Sequence, residues 1–179
     1  MANANPFLQE FNLKFSAVPF DKIELDHYAE ALEIGLKEQE EDIKNIVENP
    51  EEPTIENTIL ALENSGEVLS RVCGVLFNLT EAETCDVLDS ISEKYSPILS
   101  EASSKIHQNE ALFVRVKKVY ENIDQYTDPI QKKLIENTYI GFVRSGANLE
   151  ADKKERLKTL SSELSLLTFN FGRLALQGT

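Results

Sequence analysis

The chain has 179 residues, a formal net charge of −13, a hydrophobic fraction of 41%, and only seven glycines and six prolines. The electrostatic field of this negative charge repels phosphate groups, so neither nucleic acid nor an anionic membrane is expected as a partner. The apolar content is enough for a folded core, and the scarcity of glycine and proline favours long helices over a β fold with many turns.

The start of the chain and its two cysteines indicate the cellular compartment in which the protein works. Residues Met1–Pro6 contain neither a basic nor an apolar region, so no signal peptide is expected, and no apolar run is long enough to span a bilayer. Cys73 and Cys85 form no CxxC motif, and Cys73 lies in an apolar stretch that predicts a buried, reduced thiol. The expected compartment is therefore reducing, most simply the cytoplasm.

Two units are predicted along the chain. Residues 1–24 form an irregular arm, and residues 25–179 form a helical domain. The arm contains scattered apolar side chains, among them Phe7, Leu8, Phe11, Phe15 and Phe20. A disordered tail would rarely contain so many phenylalanines, so we expect the arm to lie across the helical body and bury its aromatic rings there.

The first helices are predicted from apolar residues that recur at helical spacing. The first begins near Asp26, a good N-cap, and ends at Asn49-Pro50. Thr54 caps the second helix, Ser65-Gly66 interrupts it, and a third helix follows. These boundaries depend only on local backbone preferences.

Three further helices follow, and each has a predicted capping residue. Their starts are Thr84 or Asp86, then Asn109, then Thr127 or Asp128 followed by Pro129. Pro97 lies inside the fourth helix and should kink or split it, because proline removes one backbone donor and its ring clashes with the preceding turn. Ser145-Gly146 ends the sixth helix.

The last segment has the most regular apolar pattern of the chain. Steps of three and four residues separate Leu157, Leu160, Leu164, Leu167, Phe171 and Leu174. This heptad-like spacing predicts a long helix over 151–176 that packs in a bundle. The predicted class is therefore all-α, a multi-helix bundle with an extended N-terminal arm and a long C-terminal helix.

The chain's two histidines do not stand in a complete metal-binding motif. Its two histidines are His27 and His107, and the zinc signature HExxH is absent from the sequence. Glu24-x-x-His27 has the spacing of half a carboxylate-bridged di-iron site, but Ser104 stands where the second half would need a glutamate. We therefore interpret both histidines as surface or capping groups.

Nucleophilic and phosphate-binding motifs are also missing from the sequence. It contains no GxSxG elbow, no GxxxxGK[ST] loop and no GxGxxG turn. Ser161 and Ser162 lie in a polar stretch that offers no group to activate a hydroxyl. Cys85 lies near a predicted helix start, but no histidine is near it in sequence. The prediction is that this chain holds no catalytic, cofactor-binding or metal-binding residue.

Eight short strings, spread over nearly the whole chain, nevertheless form a recognisable series. They are Asn5–Leu8, Pro19–Ile23, His27–Ala31, Glu56–Gly66, Arg71–Val72, Phe77–Thr80, Asn109–Phe113 and Phe142–Leu149. In order and spacing they resemble the amino-terminal part of the zinc oligopeptidases of the thimet oligopeptidase type. Within that family the bacterial peptidyl-dipeptidases, also called dipeptidyl carboxypeptidases, are the most similar.

The resemblance implies that the chain is a fragment of a larger, clamshell-shaped helical peptidase and forms part of the wall of its deep channel. The HExxH helix and the third glutamate ligand of that family lie far toward the carboxyl terminus, and no residue of this sequence matches them. Zinc is thus implied for the full-length enzyme and not for this chain.

The implied partners are the missing C-terminal catalytic region and short peptides, which the full enzyme would shorten by carboxyl-terminal dipeptides. The alternative interpretation is a stand-alone helical protein-interaction module that binds a partner through the seam from Leu157 to Leu174.

Overall fold

The computed structural model describes residues 5–82, 85–150, 152–157, 159–160, 163–164 and 167. These residues form helices and connecting turns without a β-strand, which confirms the all-α class for this part of the chain. The α-helices before residue 150 are α1 (Leu25–Glu48), α2 (Ala61–Glu63), α3 (Glu67–Ala82), α4 (Asp86–His107), α5 (Glu110–Glu121) and α6 (Pro129–Arg144). A π-helical turn, Ile55–Leu60, leads directly into α2.

Most of the predicted helix ends are confirmed. A side-chain oxygen accepts a hydrogen bond from a backbone N–H of the first turn at Thr54, Asn109 and Asp128. The prediction of Asp26 as the first N-cap is wrong, because Glu24 holds that position and α1 begins at Leu25. Glu24 replaces the shorter side chain because it forms a reciprocal pair of hydrogen bonds with His27.

Helix α4 runs through Pro97 without being split. Its first residue is Asp86, one of the two predicted starts, with Cys85 at the N-cap position; Thr84 lies outside the described residues. Proline deprives the carbonyl group four residues earlier, that of Glu93, of its donor. Both Glu93 and Pro97 are exposed, so water can satisfy that carbonyl and the helix continues.

Helix α1 connects two separate core clusters. Its first half packs with α3, α4 and the arm, and its second half packs with the π-helical turn, α5 and α6. The fully buried residues of the first cluster include Leu32, Val72 and Leu76, and those of the second include Ile59, Leu112 and Ile135. The helices α1 and α3 approach closely at Gly35, where a Cβ atom would lie 2.8 Å from the backbone nitrogen of Leu69.

The arm is anchored at one end and exposed further along. Phe7 is fully buried, with its ring centroid 5.0 Å from that of Tyr28, as predicted. The predicted burial of Phe15 and Phe20 is wrong, since their side chains are 90% and 59% exposed. Phe15 has a φ of 62°, which bulky side chains rarely adopt, and this local turn directs its ring away from the helices.

The leucine seam is also not buried as predicted. All described residues between 152 and 167 are helical, and Leu157 is half-buried. Beyond it, Leu160, Leu164 and Leu167 are 49%, 65% and 67% exposed, and we call these three residues the leucine stripe. Phe171 and Leu174 lie outside the described residues. No helix in the described part of the chain covers the stripe, which is why a pattern typical of a core is exposed here.

Candidate functional site

The Glu24–His27 pair, which has the spacing of half a metal site, is a helix cap. The backbone N–H of Glu24 donates to Nδ1 of His27 over 3.0 Å, and the backbone N–H of His27 donates to the backbone carbonyl oxygen of Glu24 over 3.0 Å. His27 is buried, and its Nδ1 lone pair is already used by this bond. The structure therefore assigns the pair to the start of α1 and leaves Nδ1 unable to bind a metal ion.

His107 is the last residue of α4. Its Nδ1 is 2.8 Å from the carbonyl oxygen of Ser103, and its ring centroid is 5.3 Å from that of Phe142. His27 and His107 are on different helices and contribute to no common site. Among the described residues, no group of three or more His, Cys, Asp or Glu side chains is arranged to hold a metal ion. The side chains described here therefore do not fit a zinc or di-iron centre.

The two cysteines are free and occupy unlike environments. Cys73 is half-buried, less than predicted, and its partial burial raises the pKa of the thiol. Cys85 is exposed at the start of α4. Burial, and to a smaller extent the charge of Cys85, raises the pKa of Tyr28. Ser161 and Ser162 lie outside the described residues.

Buried polar contacts fix the arm to the helices. The Asn5 side-chain amide donates to the carbonyl oxygen of His27 and to Oε2 of Glu30, both over 2.9 Å. From α3, Nη1 of Arg71 donates to the carbonyl oxygen of Phe7 over 2.7 Å. Several of the strings that carry the family resemblance meet here, and their shared role is to hold the arm in place.

A buried arginine performs the same task for the connection between α1 and the π-helical turn. Nη1 of Arg115 donates to the carbonyl oxygens of Asn49 and Glu51 over 2.8 and 3.3 Å, and Nη2 donates to Oδ1 of Asn57 over 3.2 Å. The role of this residue was not predicted from the sequence. An arginine three positions after the buried Leu112, on the apolar face of α5, was the available indication of a buried charge with several partners.

A groove of about 510 Å³ lies between α1 and the second half of α4. Its apolar lining consists of Leu36, Ile43, Val47, Ile98, Ala102 and Ile106. Three lysines and three glutamates, which are Lys37, Lys44, Lys105, Glu40, Glu48 and Glu101, also line it. The formal charges cancel, so the groove offers an apolar surface without a net preference for either charge.

The described contacts between the last helical segment and the body lie near the start of that segment. Nζ of Lys154 lies 2.7 Å from Oε1 of Glu110, the first residue of α5. Leu157 packs on the turn after α6, where a Cβ atom on Gly146 would lie 2.5 Å from its Cδ2 atom. Gly146 has a φ of +90°, so the turn itself favours glycine. The leucine stripe begins three residues after this attachment.

We expect the Glu110–Lys154 pair to be detectable by titration. The hydrogen bond from Lys154, and then its charge, lower the pKa of the Glu110 carboxyl below the ordinary value of 4.5. Because the ionised form is favoured in the folded chain, the attachment is complete above pH 4.5 and is lost as the pH falls through the lowered pKa.

Carboxyl-carbon NMR of the Lys154→Met variant should show the pKa of Glu110 rising toward its ordinary value. The pKa of Glu52, which Lys118 lowers, should stay unchanged as the internal control. An unaltered Glu110 titration in the variant would contradict the attachment.

The described residues thus form an all-α packing unit, and none of their helices is long and apolar enough to cross a membrane. No family model matches the chain. It is 38% identical over 174 residues to dipeptidyl carboxypeptidase of Escherichia coli strain K12, an alignment that covers 97% of this chain and 26% of that protein.

Two further relatives agree with this similarity. The identity is 37% over 172 residues with dipeptidyl carboxypeptidase of Salmonella typhimurium strain LT2, covering 96% of this chain and 25% of that protein. The identity is 28% over 177 residues with oligopeptidase A of Escherichia coli strain K12, and this alignment covers 98% of this chain and 25% of that protein. The predicted resemblance to these peptidases is confirmed, and the chain spans about a quarter of the length of the curated relatives that it matches.

Proposed function

We propose that this chain is the amino-terminal part of a longer cytoplasmic zinc metallopeptidase that releases dipeptides from the carboxyl ends of short peptides. The observation that carries the proposal is the 38% identity to a dipeptidyl carboxypeptidase over nearly the whole chain. The similarity to oligopeptidase A is lower, which favours dipeptide release over general oligopeptide cleavage.

In this proposal the chain itself contributes no catalytic group. Its two histidines lie on different helices, and Nδ1 of His27 is occupied by a backbone N–H. Zinc would polarise the scissile carbonyl group and activate a water molecule, and its ligands would come from polypeptide outside this chain. The helices described here would form part of a rigid channel wall.

A wall of this kind would act through shape. Helix α1 packs in both core clusters and connects them, which would make this wall a stiff surface. A narrow channel bounded by such a surface would admit extended peptides and exclude folded proteins, because a folded domain could not enter it. It would also hold the extended peptide in register with the catalytic groups of the longer polypeptide.

The test uses the polypeptide encoded by the complete reading frame and the 179-residue chain, assayed side by side with a short quenched peptide. We expect the long polypeptide to release carboxyl-terminal dipeptides, to lose activity with a zinc chelator, and to leave a peptide with an amidated carboxyl end intact. The 179-residue chain should show no turnover above the blank. Internal cleavage of the amidated peptide would support a general oligopeptidase instead.

The exposed leucine stripe favours one alternative, a stand-alone module that binds another protein through this surface. The reading frame separates the two functions. A frame that continues to an HExxH motif supports the peptidase, whereas a natural stop after Thr179 supports the interaction module.

A further inference from the structure

The leucine stripe differs from the other exposed apolar residues of the chain. Single exposed side chains such as Val114 and Ile130 are ordinary on protein surfaces. Leu160, Leu164 and Leu167 are separated by steps of four and three residues, which at about 100° per residue brings all three onto one helix face. An apolar face with this spacing is suited to packing against a second helix.

The stripe also has a fixed position relative to the body. Lys154 pairs with Glu110, and Leu157 packs on the turn at Gly146, so both the start and the direction of the segment are defined. Exposure then increases along the helix, from the half-buried Leu157 to 49% at Leu160 and 65% at Leu164. The stripe is therefore held at one end and bare along its length.

We propose that the leucine stripe is the docking surface for a helix supplied by the rest of the same longer polypeptide, an inference that rests on the proposed function. The chain spans about a quarter of the length of its relatives, so a polypeptide of their length would have ample chain to provide that helix. The docking helix would present apolar residues at heptad spacing toward the three leucines.

A second copy of the chain is a poorer occupant for two reasons. Two chains with a net charge of −13 each would repel one another, and in the described residues the stripe offers three leucines on each side to oppose that repulsion. A helix on the same polypeptide is instead held nearby by its connection, which gives it an effective concentration in the millimolar range.

Photo-crosslinking in the long polypeptide tests the docking directly. A benzophenone amino acid at position 164 should form a crosslink within one molecule, which mass spectrometry assigns to a helix beyond residue 179. The matched control is position 163, where the exposed Glu163 points about 100° away on the same helix. The same crosslink from position 163 in equal yield, a product that joins two copies, or no crosslink from position 164 would each overturn the proposal.

A pair of variants provides a second measurement. Leu164→Glu should lower the Tm of the long polypeptide by about 2–4 °C and leave that of the 179-residue chain unchanged. An equal loss of Tm in the two proteins would show that the 179-residue chain already covers the stripe. No loss of Tm in either protein would show that the stripe is bare surface. Both results overturn the proposal.

The peptidase assay on the unmodified long polypeptide keeps the two proposals separate. An active enzyme without the intramolecular crosslink refutes the docking alone. An inactive polypeptide with that crosslink refutes the peptidase function alone. If the intact mass shows that the natural protein has only 179 residues, no docking helix exists, and both the docking proposal and the peptidase proposal are refuted.

Discussion

Replacing Leu32 with alanine is expected to lower the free energy of unfolding of this chain by about 2–5 kcal/mol. Leu32 lies on α1 and is fully buried in the first core cluster. Truncating it removes apolar contacts and leaves a cavity that close-packed neighbours can fill only in part. Chemical denaturation followed by circular dichroism measures the loss.

The matched control is Leu164→Ala, which makes the same chemical change in a helix. Leu164 is 65% exposed, so its truncation should alter the free energy of unfolding by less than about 0.5 kcal/mol. The heptad-like pattern alone predicts a large loss at this position, as for a core residue. Equal losses at Leu32 and Leu164 would mean that the stripe is covered within this chain.

Replacing Arg115 with methionine is expected to cost about 2–4 kcal/mol of unfolding free energy. The guanidinium group donates to two backbone carbonyl oxygens, those of Asn49 and Glu51, and to the Asn57 side chain. Methionine fills similar space but donates nothing, so these acceptors lose a charged donor in a partly buried site. The same denaturation experiment measures the effect.

Two variants decide whether the effect comes from this hydrogen-bond geometry. Arg115→Lys keeps the charge, but one ammonium group cannot reach three acceptors as a planar guanidinium does, so we expect an intermediate loss. Lys117→Met removes a cation from the same helix at an exposed position, where its contact with Glu121 is 3.8 Å, and should be nearly neutral. Arg115→Met without a loss would show that other contacts hold the connection after α1.

Helix positions and most helix ends could be predicted from the sequence because they depend on neighbours within one turn. Thr54, Asn109 and Asp128 each accept from a backbone amide two or three residues away, and proline after Asp128 fits the first helical turn. The resemblance to dipeptidyl carboxypeptidase was likewise readable, since it depends on residue order and spacing alone. Pro97 shows the limit of local rules, because exposure of Glu93 lets α4 continue.

What the sequence could not determine were the contacts between residues far apart in the chain. Arg115 lies 58 to 66 positions from its three acceptors, so its role appears only when α5 packs beside the connection after α1. The groove between α1 and α4 is likewise a product of packing. The leucine stripe has the spacing of a buried seam, but burial requires a neighbouring helix, and only the tertiary arrangement shows that none of the described helices covers it.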